Sequence, residues 1–226
     1  MKRILSGRLS VPILLVGLAA CPALAPASIV LGQIDDFQDF TEMNWGGGAL
    51  PYNVPTDGPG GVGDAYLEVT STGTGGSGSR LGTFNDFQWT GDYITAGVTG
   101  IDLDMRNPGN VALEMRILLL FGAGGHFTSA VPVVVPPDNQ WHNYYLGLTP
   151  ADLAAVDGGF NANATLSNVP RLLLRHDPGT PSGINGAPAI AAILGVDNIT
   201  AVPEPSTALL LALLGGLTAR RPRRRH

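Results

Sequence analysis

Between Ile101 and Phe121 apolar side chains recur at every second residue. Ile101, Leu103 and Met105 alternate with Asp102, Asp104 and Arg106, and Val111, Leu113, Met115, Ile117, Leu119 and Phe121 continue the rhythm. A period of two belongs to a strand, whose successive side chains leave on opposite faces; a helix requires a period near 3.6. The intervening positions of the second run begin polar, at Glu114 and Arg116, and end apolar, at Leu118 and Leu120. That pattern predicts one long strand, half-exposed at its start and buried on both faces at its end. Asn107-Pro108-Gly109-Asn110 separates the two runs and carries turn chemistry, which predicts a hairpin.

The rest of the chain agrees with this signal. Glycine (31 residues) and proline (18) punctuate it, and the middle region is rich in Thr and Asn and lacks lysine, a composition that favours strands and turns over helices. Further strands are predicted at Ala65–Thr70, Leu81–Phe84, His126–Val135, Gln140–Leu148, Val169–His176 and Leu194–Ala201. One short helix is predicted, with Thr149 as N-cap, Pro150 at the first position, Asp152 at the positive end and Gly158-Gly159 as its stop. Long Gly-rich loops lie at 46–63 and 73–78, and a third loop spans 178–188. Many strands at regular spacing with few helices predict an all-β fold, a β-sandwich of jelly-roll type, over residues 28–201.

Both ends differ from this middle. Lys2, Arg3 and Arg8 precede an apolar run from Val11 to Ala20, the charge and hydropathy order of a signal peptide, and Ala25-Pro26-Ala27 offers small residues for a signal peptidase to cut before Ser28. Leu18-Ala19-Ala20-Cys21 also has the form of a lipobox, in which Cys21 would carry the lipid. Cys21 is the only cysteine, so disulfides play no part on either reading. At the other end Val202-Pro203-Glu204-Pro205-Ser206 is a proline-stiffened acidic peptide. An apolar stretch follows from Thr207 to Ala219, and then Arg220, Arg221, Arg223, Arg224 and Arg225. About 13 apolar residues at ~1.5 Å each reach ~20 Å, short of the ~30 Å hydrocarbon layer, a marginal membrane span that the arginines would stop on the cytoplasmic side.

These three parts in this order resemble the PEP-CTERM sorting signal of bacterial envelope proteins. The resemblance covers residues 202–226 and implies an exported protein held in the membrane by its C-terminal helix until an exosortase cuts near the motif. It implies a destination at the cell envelope or extracellular matrix. A looser resemblance covers residues 35–201. Asp35-Asp36-Phe37 near the start, Trp141 followed by Tyr144, Tyr145 and Leu148, and Gly195-Val196-Asp197-Asn198-Ile199 near the end are ordered as in jelly-roll modules of the carbohydrate-binding and laminin-B kind. It implies that the first and last strands pair, and that Asp36 and Asp197 hold a structural Ca²⁺ where they meet.

Between Ser28 and Ala201 five arginines face seventeen acidic residues, a formal charge of −12. Such a domain repels nucleic acid and anionic lipid. The oxygen-rich, acidic composition suits a hard cation at Asp36 and Asp197, with strand-end turn chemistry as the plainer account of the same residues. Catalytic signals are thin. Gly75-Gly76-Ser77-Gly78-Ser79 lacks the last glycine of a nucleophile elbow. His126, His142 and His176 are read as solvent-facing strand residues, and Asp102 and Asp104 as a solvated face able to pair with Glu114 or Glu68. Trp45, Tyr52 and Trp89 lie in or near loops, where flat rings can stack on sugars, and Trp141 is read as core. The sequence therefore points to a non-catalytic envelope or matrix protein, structural or adhesive, with a module recognising an exopolysaccharide as the alternative and a secreted hydrolase as the weakest reading.

Overall fold

The structure is a computed structural model and describes residues 28–204. In chain order the elements are β1 (Ile34–Asp35), β2 (Tyr52–Val54), β3 (Tyr66–Thr72), β4 (Gly82–Asn85), α1 (Tyr93–Ala96), β5 (Gly100–Arg106) and β6 (Leu113–Leu120). They continue with β7 (His126–Ser129), β8 (Val133–Val135), β9 (Trp141–Gly147), a single 3₁₀ turn (Pro150–Asp152), β10 (Leu153–Val156), α2 (Ala162–Leu166), β11 (Arg171–His176) and β12 (Ala191–Val202). Two antiparallel six-stranded sheets result. The first runs β2-β3-β12-β5-β9, with β1 also on β12; the second runs β10-β7-β6-β11-β4, with β8 also on β6.

The core is the space between the sheets. Leu67, Val69, Leu103, Met105, Leu194 and Val196 fill it from the first sheet, and Met115, Ile117, Leu119, Leu172 and Leu174 from the second, all buried. Each such side chain contributes on the order of 1.5–3 kcal/mol by leaving water. The first and last strands pair, Ile34 against Thr200 and Asp35 against Ile199. A bulge interrupts the β12–β5 ladder between Asp197 and Thr200, and Asn198 within it takes a left-handed φ of 51°. Asparagine tolerates this conformation better than most residues.

Four local expectations are corrected. The runs around 101–105 and 111–121 do not form a hairpin: β5 pairs with β12 and β9, while β6 pairs with β11, β7 and β8. The turn at Asn107 carries the chain across the core, from one sheet to the other. Both strands show period two, but only tertiary pairing decides whether adjacent strands share a sheet. The helix at Thr149 is a single 3₁₀ turn whose capping box is present, with Asp152 accepting from the Thr149 main chain at 3.0 Å. Leu153 then enters β10. The segment 126–135 is two strands, β7 and β8, both on β6. Val202 belongs to β12, pairing with Gly100, so the stiff peptide leaves the sheet at Pro203, one residue later than expected.

β6 is buried on both faces toward its end, as its pattern implied. The segment after β11 covers the outer face beside Arg116, nearer the start of the strand. Arg116 and Arg175 are register neighbours on the outer face of the second sheet, both buried. Arg116 donates to main-chain oxygens of Asp177, Ser129, Ala130 and Gly179 at 2.5–2.9 Å. Arg175 donates to Gly183, to Ser182 and, at 2.8 Å, to the Asp177 carboxylate. Residues 177–184 are thus strapped across half of that face. Burial lowers both guanidinium pKa values, and the Asp177 charge between them works the other way.

Candidate functional site

A cleft of about 730 Å³ lies between the loop after β1 and the segment after β4. One bank is a run of tight turns with left-handed φ at Phe37, Phe40, Met43 and Asn44. Asp39 holds it by accepting from the Thr41 main chain at 2.9 Å, the short-range bonding that makes Asp a turn former. The other bank is Asp86, Phe87 and Gln88. Gln88 ties the banks together: its amide donates to the Asp35 carboxylate at 3.0 Å and to the Met43 carbonyl, and its oxygen accepts from Asn44 at 3.1 Å. Asn85 on β4 adds a bond to the same carbonyl.

The floor of the cleft is Asp35. Its carboxylate is buried and accepts the indole N–H of Trp45 at 2.7 Å and of Trp89 at 2.6 Å. Desolvation pushes its pKa up, and the three donated hydrogen bonds oppose the rise. The rim is chemically mixed. Asp39 and Glu42 present carboxylates, Asn44 and Gln88 present amides, and the Phe87 ring is 52 % exposed. Beyond Asp86 the open half of the second sheet continues the surface. Arg171 pairs with Asp86 at 2.5 Å and lies over the rings of Phe84 at 4.1 Å and Phe121 at 5.7 Å. Amides and carboxylates that bond hydroxyl groups, beside flat faces, can hold a polyhydroxylated ligand.

The expected stacking residues fall elsewhere. Trp45 and Trp89 are buried, 6.1 Å apart at a tilt of 51°, so neither offers a face to a ligand. Loop position alone suggested exposure, and the buried Asp35 that draws both indoles inward was not visible in the chain. Tyr52 is exposed, on the outer face of the first sheet, where its hydroxyl meets Glu68. Trp141, expected in the core, is also on that face. Gly195 makes room for it: a Cβ there would stand 2.8 Å from the Trp141 ring and 3.3 Å from Tyr66. Arg106 lies over both rings, at 4.8 Å from Tyr66 and 5.0 Å from Trp141. Within this cluster Tyr52 is the ring that stands exposed.

Asp36 and Asp197 lie in a second candidate site. Asp197 is fully buried at the bulge of β12. One carboxylate oxygen accepts from the Asn198 main chain at 2.7 Å, and the other is buried with no hydrogen-bond partner among the described residues. Burial first, then the charges of Asp64, Asp104 and Asp36, raise its pKa to about 7. Nearby, the Gln38 amide donates to the Asp36 carbonyl at 3.0 Å, the Asp64 carboxylate at 2.8 Å and the Ala65 carbonyl at 3.2 Å. No three His, Cys, Asp or Glu side chains among the described residues stand close enough to hold a metal. A cation here would depend on main-chain and amide oxygens as well, a donor set that Ca²⁺ accepts and Zn²⁺ does not.

The remaining candidates do not converge. Glu114 lies in the opposite sheet from Asp102 and Asp104, and Asp104 accepts from Asn143 and Asn198. His126 and His142 pair with Asp157 and Asp138. His176, expected in solvent, is buried and accepts from the Glu114 main chain at 3.1 Å, with its pKa lowered by desolvation. None of the three lines the cleft. Cys21, Pro205, Ser206 and Arg220, Arg221, Arg223, Arg224 and Arg225 lie outside the described residues. No helix among the described residues is long and apolar enough to cross a membrane.

No protein-family model matches the chain, and no curated protein matches it. Solved structures do. An exo-β-agarase superposes with a TM-score of 0.56 at 15 % identity over 77 % of this chain and 25 % of that one. A family 11 carbohydrate-binding module from Clostridium thermocellum, in complex with a β-1,3-1,4-mixed-linked tetrasaccharide, gives 0.49 at 18 % identity over 77 % of this chain and 97 % of the module. A carbohydrate-binding module of the CBM28 kind, specific for non-crystalline cellulose, gives 0.46 at 15 % identity over 80 % and 99 %. The chain spans about a quarter of the agarase, and at these identities the likeness is one of fold.

Proposed function

We propose that this chain is an exported, non-catalytic jelly-roll module that binds a neutral polysaccharide at the cleft beneath Phe87. The observation that carries the reading is the cleft itself, where carboxylates, amides and an exposed ring share one rim above a floor locked by Asp35 and Gln88. A preformed site of this kind loses little entropy on binding. The domain's negative charge disfavours uronic or sulfated polymers and leaves neutral glycans as the substrate class. A structural or adhesive role at the envelope follows from such binding rather than competing with it. Residues 1–27 as a signal peptide, with cutting before Ser28 or lipidation at Cys21, and residues 202–226 as an exosortase sorting signal belong to the same proposal.

The test is retention on agarose and on mixed-linkage β-glucan by affinity electrophoresis. Phe87→Ala is expected to weaken retention at least tenfold with an unchanged unfolding midpoint, since the ring is half-exposed. Equal retention of the variant and the wild type on every polysaccharide would remove the cleft as the binding site.

The proposal includes a structural Ca²⁺ at the Asp197 site. Asp197, Asp64, the carbonyls of Asp36 and Ala65, and the Gln38 side chain, once its amide turns its oxygen inward, would hold the ion. It would supply charge balance for the unpartnered Asp197 oxygen and tie β1 to β12. The site lies at the strand junction, so its effect is expected in stability.

A further inference from the structure

We propose that a groove beside the Gly-rich loop between β3 and β4 is a second binding site, for an acidic saccharide: a small sugar unit that carries one oxyanion, anchored by Arg80. Two adjoining concavities form the groove and share Gly48, Arg80 and Ala187. The outer one holds about 560 Å³, between the loop at 75–79 and the segment Ala187, Pro188 and Ala189. The inner one, about 120 Å³, ends among Phe84, Leu173, Arg175 and Ile184. The outer volume falls in the ~300–1,000 Å³ range of sites for small organic ligands.

The charge of the groove is opposite to that of the domain. Neither concavity is lined by Asp or Glu, although Ser28 to Ala201 carries seventeen of them against five arginines. Two of those five arginines are here. Arg106, Arg116, Arg171 and Arg175 all hydrogen-bond within the domain. Arg80 is exposed and makes no hydrogen bond or ion pair among the described residues, so all five of its N–H donors are free for a ligand. The two cations are near neighbours: after burial, the like charge of Arg80 also lowers the Arg175 pKa, against Asp177 and Asp157, which raise it. Arg175 is buried at the inner end, and its Nε–H has no acceptor among the described residues. Buried donors generally find a partner, and a ligand oxygen at the inner end would be one.

The Gly-rich loop adds neutral donors. Gly75, Gly76 and Gly78 take left-handed φ values of 88°, 78° and 77°, and main-chain turns of this kind offer N–H groups to anions. The Ser77 hydroxyl and the Gly78 N–H have no acceptor among the described residues. Both stand against Gly48, where a Cβ would lie 2.8 Å from the Gly78 nitrogen and 3.2 Å from the Ser77 oxygen. Glycine at 48 therefore keeps the space in front of both donors open. A guanidinium fork takes a carboxylate or sulfate by two parallel bonds, Ser77 and Gly78 reach hydroxyl oxygens, and Pro188 and Ala189 face the apolar side of a sugar. A densely charged polymer is repelled by the domain as a whole, whereas one oxyanion per ligand meets a local field of opposite sign. This inference is independent of what binds in the cleft beneath Phe87.

Amide chemical shifts of Ser77, Gly78 and Arg80 in the full chain, titrated with sodium glucuronate at constant ionic strength, test it. The shifts are expected to saturate. Glucose, which lacks the carboxylate, and inorganic sulfate, which lacks the sugar, are each expected to bind at least tenfold more weakly. Arg80→Gln is expected to weaken glucuronate binding at least tenfold with an unchanged unfolding midpoint, since the side chain bonds to no described residue. The absence of saturable shifts, or equal affinity in Arg80→Gln and wild type, overturns the proposal. Glucose binding as tightly as glucuronate overturns the oxyanion, and sulfate binding as tightly overturns the saccharide. Retention of Arg80→Gln on polysaccharide should match wild type, and its loss would overturn the groove as a site separate from the cleft.

Discussion

Trp89→Ala is expected to lower the unfolding free energy by about 4 kcal/mol, the range for deleting a fully buried large aromatic. Against a total of ~5–15 kcal/mol this is severe, and for a domain of this size it corresponds to a fall in Tm of ~10 °C. The ring has no solvent exposure, packs 6.1 Å from Trp45, and gives its N–H to Asp35. Its loss opens a cavity and also takes one of three donors from a buried carboxylate. Trp89→Phe separates the two effects. It keeps most of the apolar volume and removes only the donor, so a loss of about 1–2 kcal/mol is expected. Urea unfolding followed by tryptophan fluorescence measures both. Polysaccharide retention of the folded fraction should be unaffected in Trp89→Phe. An unchanged midpoint combined with lost retention would show that the ring contacts ligand, contrary to its burial.

The second large effect is expected at Asp197. Its folded pKa of about 7 lies above the ordinary 3.8. Between those values the folded state holds a proton that the unfolded state has released. This contribution to stability is therefore full below pH 3.8, falls as pH rises through the window, and is lost above pH 7. Without calcium, raising the pH from 5 to 8 is expected to cost at most about 2 kcal/mol through this group, once solvent screening is allowed for. His176 titrates in part of the same window with the opposite sign, because burial lowers its pKa. The difference between wild type and Asp197→Asn isolates the carboxyl: the variant should be the more stable protein at pH 8 and equal to wild type at pH 5.

Calcium reverses this ranking. The ion needs the ionised carboxylate, so at pH 8 it is expected to raise the stability of wild type and not of Asp197→Asn. At a calcium concentration 100-fold above the dissociation constant the gain is ~2.7 kcal/mol. Thermal melts with 1 mM Ca²⁺ or with chelator read it directly. No calcium shift at pH 8, together with the predicted pH dependence, would leave Asp197 as a buried protonated acid and remove the ion from the proposal.

The chain by itself determined the class of fold and most of its strands. Period two at Ile101–Met105 and Leu113–Leu119 is a local property, because alternate side chains must leave on opposite faces whichever strand lies beside them. The same reasoning located β3, β4, β9, β11 and β12. It missed α1 and α2, whose Asp92 and Asn161 caps begin helices of only four and five residues, too short to show a period. It also missed β1, β2 and β10, which are strands only through their partners. What the tertiary structure alone decided was which strands share a sheet and which aromatic rings face water. The crossing at Asn107 looked like a hairpin because a turn's residues do not specify where the next strand pairs. Trp45 and Trp89 looked like surface rings, and Trp141 like a core one, because exposure depends on groups remote in sequence. Asp35 draws the first two inward, and Gly195, 54 residues from Trp141, gives that ring a seat on the outer face. The cleft has the same origin: Asp39, Asn44 and Gln88 carry no motif, and only the closing of the loop after β1 onto β4 sets them on one rim.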